Sequence, residues 1–297
     1  MFKRLLQGLA AVVLAVLLGL GIYWQLNGER LQAEYAAFRK QGAPVLMYHA
    51  VGPKEKIRAK DGKLADWPES LLMDPELFEN HLRYLRAQGY TIVSVEQLAH
   101  RLEKGESVDK YVALSFDDGY KNNRDVVLPL LQKYDAKASF FVINREIGQP
   151  LFMNDEDIKD MLKAGMELGS HTYSHNPLAK IDTKYLVWEF DTSRYWLKKN
   201  YDGYIVRTLA YPNGSYNETV ISEAQKYGFY RALTGKVGVN TAASYKKAPM
   251  EMYRVTVADD GNGLEGFKKR LEQAYLFGFL QTKGIDINII RQPFVEY

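Results

Sequence analysis

The chain contains no cysteine. That excludes a disulfide framework, thiolate metal ligands, a cysteine nucleophile and a lipidated N-terminal cysteine. Histidine is scarce, with five in 297 residues, so where each one falls matters. There is no long Lys/Arg block and the net charge is only +3, which argues against a nucleic-acid partner. No internal repeat is visible. With 46% apolar residues the chain is neither collagen-like nor broadly disordered, and it can build a sizeable core.

The N-terminus is the one long apolar stretch. Lys3 and Arg4 precede Leu5 and Leu6 and then an apolar run from Gly8 to Trp24. About 20 such residues are enough to span a bilayer, and Tyr23 and Trp24 sit where an interfacial aromatic belt would lie. No small-x-small cleavage site follows; Tyr23-Trp24-Gln25-Leu26 stands there instead, which favours an uncleaved anchor over a signal peptide. The positive flank sets the N-terminus in the cytoplasm and the remainder on the extracytoplasmic face of the cell membrane, single-pass, or secreted if the segment is cleaved. The expected organisation is an anchor over 1–24, a polar, Ala-rich helical stalk over 25–43, and one domain over 44–297. That domain is within the range of single α/β barrels.

Within the domain, strand and helix signals alternate. Pro44 opens an extended run, Val45–Tyr48, that ends at His49; a charged segment over 52–73 reads as a long exposed loop. Asp74 and Pro75 start a helix that Gly89 ends. Strand 91–93 leads to a helix opened by the Ser94/Gln97 capping box. Strand 111–116 then precedes Asp117, and a helix is expected over 123–134. Strand 138–142 is followed by a helix over 155–164, and strand 166–169 runs into His171. Helix 183–200, strand 208–211, helix 218–227, strand 229–233, strand 254–257 and a helix over 264–276 complete the pattern. Such alternation implies a parallel sheet with outer helices. Six to eight units suggest a barrel, with its site at the C-terminal strand ends.

The residues that carry chemistry fall just after expected strands. Ser115-Phe116-Asp117-Asp118-Gly119-Tyr120 places two carboxylates at a strand end, where Gly119 permits a sharp turn. Alone, Asp-Asp-Gly is also an ordinary solvated turn. His171-Thr172-Tyr173-Ser174-His175 places two imidazoles four apart. One Asp with two His makes a three-ligand metal site with a position open for water, and the other Asp is left as a base. Neutral imidazole and carboxylate suit Zn²⁺, with Co²⁺, Ni²⁺ or Fe²⁺ as alternatives. Tyr211-Pro212-Asn213-Gly214 forms a turn at another strand end, where a backbone N–H could donate to an oxyanion; an ordinary Pro-Gly turn reads the same way. His81 and His100 lie inside expected helices, so His49 is the remaining histidine at a strand end and the candidate acid for a leaving amine.

Together these motifs resemble the polysaccharide deacetylase family, the NodB-homology domain of carbohydrate esterase family 4. The match covers roughly 44–260. The resemblance implies a distorted (β/α) barrel and metal-dependent removal of acetyl groups. It makes Asp117 the general base, Asp118, His171 and His175 the metal ligands, and Asn213 N–H, with Tyr211 beside it, the oxyanion and substrate contacts. Two features depart from the common pattern. Ala210 stands where many members have an arginine, for which Arg207 and Arg254 are candidate replacements. No histidine follows His175, so the usual C-terminal acid motif is absent. Both departures resemble the circularly permuted branch acting on poly-β-1,6-N-acetylglucosamine, in which Leu46-Met47-Tyr48-His49-Ala50-Val51 brings the acid histidine early. The expected partner is therefore an N-acetylglucosamine polysaccharide, and the expected state a monomer. Peptidoglycan or chitin-type β-1,4 glycans, an O-acetyl esterase and a catalytically silent carbohydrate-binding barrel are the alternatives.

Overall fold

The computed structural model describes residues 27–53 and 72–288. The expected anchor over 1–24, the first two residues of the expected stalk and most of the expected loop after His49 lie outside the described residues. Among the described residues no helix is long and apolar enough to cross a membrane. The chain divides into a unit ending at Arg39 and a unit beginning at Lys40. Residues 27–41 are helical, and Arg30 pairs with Glu34 one turn later at 3.4 Å, an exposed contact worth little in stability.

The larger unit is built on parallel strands. They are β1 (Val45–Tyr48), β2 (Ala50–Val51), β3 (Leu72–Met73), β4 (Thr91–Val93), β5 (Tyr111–Phe116), β6 (Ser139–Val142), β7 (Glu167–Ser170), β8 (Thr208–Ala210), β9 (Arg231–Leu233) and β10 (Val255–Thr256). The main sheet runs β10-β1-β5-β6-β7-β8-β9, with β4 also on β5, and every pairing is parallel. The first strand therefore lies between the last and the fifth. Of the distorted (β/α) barrel expected, the sheet forms a parallel half-barrel: no ladder joins β9 to β10 among the described residues, where Leu233 makes a single bridge to Met252. β2 and β3 pair separately, so the expected loop 52–73 ends in a short strand. Alternating patterning does not show such strands, because parallel strands are covered on both faces and read as continuous apolar runs; β1 and β6 are buried along their whole length.

The helices follow the caps. Asp74 accepts from the backbone of Glu76 and Leu77 and starts α1 (Pro75–Ala87). Ser94 and Gln97 close the capping box of α2 (Val95–Lys104), and Gly105 ends it in the left-handed conformation. The helix expected over 123–134 begins instead as a π-helical stretch, Asn123–Val127, before α3 (Leu128–Lys133). π-turns of this kind often mark functional sites, and here Asn123 donates from Nδ2 to the carbonyl of His49 at 3.0 Å. α4 (Asp155–Lys163), α5 (Thr183–Asn200) and α6 (Glu218–Lys226) match expectation within two residues. α7 (Ala242–Lys247) was not anticipated, and α8 (Gly263–Thr282) runs past its expected end. An aromatic stack ties β1, β5 and β6 to α1: Tyr48, Phe116 and Phe140 lie with centroids 5.3 and 4.9 Å apart, and Phe78 meets Tyr48 edge-on at 5.2 Å. Each such ring contributes about 1.5–3 kcal/mol through burial. The stack fixes the strand ends from which His49 and Asp117 emerge.

Candidate active site

β5 ends at Phe116, and Asp117 remains tied to the neighbouring strand through its N–H to Tyr48 O at 3.0 Å. The chain then turns sharply. Asp118 has φ 74° and Gly119 φ 83°, so both carboxylates face one side, where a regular strand would have separated them. Glycine is required next: a Cβ at position 119 would lie 2.9 Å from Val142 Cγ1 on β6. After β7, the loop from His171 carries two more residues with positive φ, Thr172 at 66° and His175 at 64°. These turns fold the His-x-x-x-His segment back on itself without a helix, so both rings face the Asp pair.

The result is one buried cluster. Asp118 Oδ1 lies 3.5 Å from Nε2 of both His171 and His175. The donor atoms of the three residues all lie within 4.8 Å of one another. Asp118 and His171 are buried, and His175 keeps 26% of its side chain exposed. His171 Nδ1 donates to the carbonyl of Ala210 at 2.8 Å. A carbonyl can only accept, so Nδ1 holds the proton and the Nε2 lone pair points into the cluster, the tautomer a metal requires. Ligands about 2.0–2.1 Å from a tetrahedral ion stand roughly 3.4 Å apart, close to the 3.5 Å seen for Asp118 with each histidine. The residues present fit a divalent cation.

Asp117 is held differently. Arg254 Nη1 donates to both of its oxygens, at 2.8 and 2.7 Å, and Nε donates to Thr234 O at 2.9 Å. Both side chains are buried. Of the two candidate replacements for the missing arginine, Arg254 is the partner of Asp117; Arg207 is half-exposed and lies 3.5 Å from Glu96. Arg254 comes from the segment between the Leu233–Met252 bridge and β10, 137 residues from Asp117 in sequence.

The environments push the two carboxylates apart. Burial works to raise the pKa of Asp117, but the Arg254 charge, with His171 and His49, outweighs it and holds the group below its ordinary value. Burial, and then the charge of Asp117, push Asp118 well above the ordinary range. Burial lowers His49 to about 4 against the pull of Asp117, with Arg254 and His171 adding to the fall. Burial also lowers His171, and burial with the neighbouring His171 lowers His175 to about 3. All three imidazoles are therefore neutral near pH 7. His49 is half-buried and within electrostatic reach of Asp117, Arg254 and His171.

The third motif reaches the same strand-end face through Ala210, whose carbonyl anchors His171. Asn213 has φ 53° within the turn Pro212–Gly214. Tyr211 is wholly buried; its hydroxyl donates to Met250 O at 3.0 Å and its ring stacks on Tyr216 at 4.7 Å. Its side chain supports the turn. Sequence reasoning did not single out Asn123, whose amide fixes the His49 carbonyl; an Asn at the start of a helix pattern carries no signal for such a contact.

Comparison with known proteins agrees with this geometry. Residues 104–232 match the polysaccharide deacetylase family. The poly-β-1,6-N-acetyl-D-glucosamine N-deacetylase of Staphylococcus epidermidis is 27% identical over 226 residues, 71% of this chain and 77% of that protein. The Streptococcus pyogenes deacetylase PplD, solved in complex with acetate, superposes with a TM-score of 0.66 at 26% identity, over 80% of this chain and 99% of that one. IcaB from Ammonifex degensii superposes with a TM-score of 0.62 at 25% identity, over 74% and 94%. With both acidic and imidazole motifs converging on the matched half-barrel, this chain carries a polysaccharide deacetylase domain and is an enzyme, a hydrolase of that kind.

Proposed function

We propose that the chain removes acetyl groups from N-acetylglucosamine residues of an extracellular polysaccharide, with poly-β-1,6-N-acetylglucosamine as its polymer. The observation that carries the reading is the convergence of Asp118, His171 and His175 beside an Arg254-held Asp117. The polymer is suggested by the name of the staphylococcal relative and by His49, which reaches the site from the first strand, between β10 and β5. That placement supports a permuted barrel.

In this reading Asp118, His171 and His175 hold the cation, Zn²⁺ in the first instance, with Co²⁺, Ni²⁺ or Fe²⁺ as substitutes. When bound, it supplies Lewis acidity toward the acetyl carbonyl and acidifies water. Asp117 takes the proton of the attacking water. Arg254 keeps that carboxylate ionised and fixes the direction of its oxygens. The Asn213 N–H donates to the developing oxyanion. His49 delivers the proton to the departing nitrogen. With its pKa near 4 it enters neutral, so the proton it delivers is relayed from Asp117 during the reaction. Acetate and a free amine result, and the polymer gains positive charge. The apolar run Gly8–Trp24 supports a membrane anchor over 1–24, followed by a stalk over 25–43 and an extracytoplasmic domain.

The test is to load the full-length chain with Zn²⁺ and incubate it with β-1,6-linked and β-1,4-linked N-acetylglucosamine oligomers in parallel, counting acetyl losses by mass spectrometry. Loss confined to the β-1,6 oligomer is expected. Loss confined to the β-1,4 oligomer would retain the chemistry and reassign the polymer. No loss from either, with metal bound, would overturn the reading.

A further inference from the structure

The loop between the two histidines is held by a buried carboxylate that the mechanism does not use. Glu189 lies on α5 and is 1% exposed. Its Oε2 accepts from the backbone N–H of both Tyr173 and Ser174 at 2.9 Å. Its Oε1 accepts from the Ser174 hydroxyl and from Asn176 Nδ2. No cation pairs with it among the described residues. A buried charge is costly unless hydrogen bonds compensate it, and here every donor comes from residues 173–176.

The geometry explains why an anion sits there. Thr172 and His175 both adopt positive φ, which is unusual for non-glycine residues and most costly for a β-branched one. Left-handed turns make successive N–H groups converge into a concavity that binds anions. The N–H groups of Tyr173 and Ser174 form such a concavity, and Glu189 fills it. Strained turns persist only where the surroundings over-determine them. The rest of the loop is fixed from the other side: Ser170 Oγ accepts from Thr172 N–H at 3.0 Å, and Thr172 Oγ1 accepts from His175 N–H at 3.1 Å. Trp188, the neighbour of Glu189, packs edge-on against Tyr173 with centroids 4.6 Å apart. The position also stands out on α5 itself, where Leu186, Phe190, Ser193 and Leu197 form the buried stripe and Glu189 is the charged residue among them.

We infer that Glu189 is a positioning residue for the metal centre: its carboxylate, bound in the N–H concavity of Tyr173 and Ser174, holds His171 and His175 at the spacing one cation needs. This rests on the metal site proposed above. It acts through the loop and touches neither cation nor substrate. Glutamine is a poorer fit, because giving its single oxygen to the two backbone donors turns its NH₂ toward Asn176 Nδ2, which cannot accept, and makes the Ser174 hydroxyl accept where it now donates.

The experiment is a Zn²⁺ competition titration of the metal-stripped full-length chain against a chromogenic chelator, with the melting temperature of the metal-free form measured beside it. Glu189→Gln is expected to bind Zn²⁺ about 10–100-fold more weakly, the range for removing a partner that orients metal ligands. The control is Glu167→Gln. Glu167 is also a buried carboxylate, 8% exposed, at the far end of β7, bonded to Ser139, Thr208 and the N–H of Glu96. It should lower the melting temperature and leave Zn²⁺ affinity unchanged. Ser174→Ala removes one donor only and should weaken binding less, in the same direction. Wild-type affinity in Glu189→Gln, or an equal loss of affinity in Glu167→Gln, overturns the inference. If Glu189→Gln does not fold, unchanged affinity in Ser174→Ala overturns it. A wild-type chain that binds no divalent cation brings down the proposed metal site itself, and the inference with it.

Discussion

Replacing Arg254 by methionine tests the electrostatic core of the site. Both partners of the Arg254–Asp117 pair are 3% exposed at the side chain, and Nη1 lies 2.8 and 2.7 Å from the two carboxylate oxygens. Removing one member of a buried pair leaves an uncompensated charge and costs about 3–5 kcal/mol. At about 2–4 °C per kcal/mol for a domain of this size, the metal-free chain should melt roughly 6–20 °C lower at pH 7. Asp117→Asn should destabilise for the mirror reason, stranding the guanidinium. The double variant should recover about 2–3 kcal/mol relative to the sum of the single losses, a coupling typical of residues in one network. The sign of the pH dependence follows from the lowered pKa of Asp117. Its contribution is present above the ordinary carboxylate value near 3.9 and is lost as pH falls through the lower folded value. The gap between wild type and Arg254→Met should therefore close toward strongly acidic pH. Denaturant melts of the four proteins at two pH values are the assay. Additive single losses would refute the reasoning, since they would mean that the two groups do not share one interaction.

Other substitutions separate the roles within the site. Asp118→Ala or His175→Ala should abolish both metal retention and turnover, read by metal analysis of the purified chain and by acetate release. His49→Ala should lose turnover and keep its metal; loss of metal would make His49 a ligand instead. Gly119→Ala sets a Cβ 2.9 Å from Val142 Cγ1 at φ 83°, and should cost roughly 1–3 kcal/mol and weaken metal binding by displacing Asp118. A pH effect outside the site comes from His81, which is buried, stacked on Phe267 at 4.0 Å and 3.2 Å from the Tyr48 hydroxyl. Burial lowers it to about 3 against the pull of Asp259. The unfolded chain, with its histidine near 6.5, binds the extra proton between those values. Stability is thus lost as pH falls below about 6.5, by up to about 1.4 kcal/mol per unit. His81→Gln should flatten that slope in denaturant melts between about pH 6.5 and 4; an unchanged slope would contradict it.

The parts of the fold legible in the sequence were those written locally. Caps at Asp74 and Ser94, and the period of Thr183–Asn200, gave helices at their observed places because each signal lies within one or two turns of chain. The parallel strands were found from short apolar runs between helices, and their ends carried the Asp pair and both metal-type histidines. What was not legible is long-range or depends on backbone angles. Among the described residues no ladder joins β9 to β10, and the Leu233–Met252 bridge stands alone there; no local pattern encodes that. Arg254 was one of two candidates until the fold brought it 137 residues back to Asp117. Tyr211 stands out in the sequence only through the turn motif; its burial and its bond to Met250 O need the folded chain. No local pattern marks Glu189 on its long helix, because the donors that explain it are backbone N–H groups in conformations that Thr172 and His175 do not advertise.

The adjacent aspartates show how one motif yields two chemistries. The same two letters, side by side, could have titrated alike. They differ because the fold gives each a different neighbour. Arg254 neutralises Asp117 inside the protein, so that carboxylate stays ionised without help and can accept a proton. Asp118 faces two imidazoles that burial keeps neutral, and burial with the charge of Asp117 drives its pKa upward. One of the two negative charges therefore lacks a counter-charge from the chain, at a point where an oxygen and two nitrogens converge. In the proposed reading a divalent cation would supply that missing charge and reverse the direction of the Asp118 shift. The arginine also keeps the division fixed, because a cation drawn to both carboxylates would leave neither free as a base. Arg254→Met should therefore weaken the distinction between the two: Asp117 becomes a competing ligand, and turnover should fall even where metal content is retained.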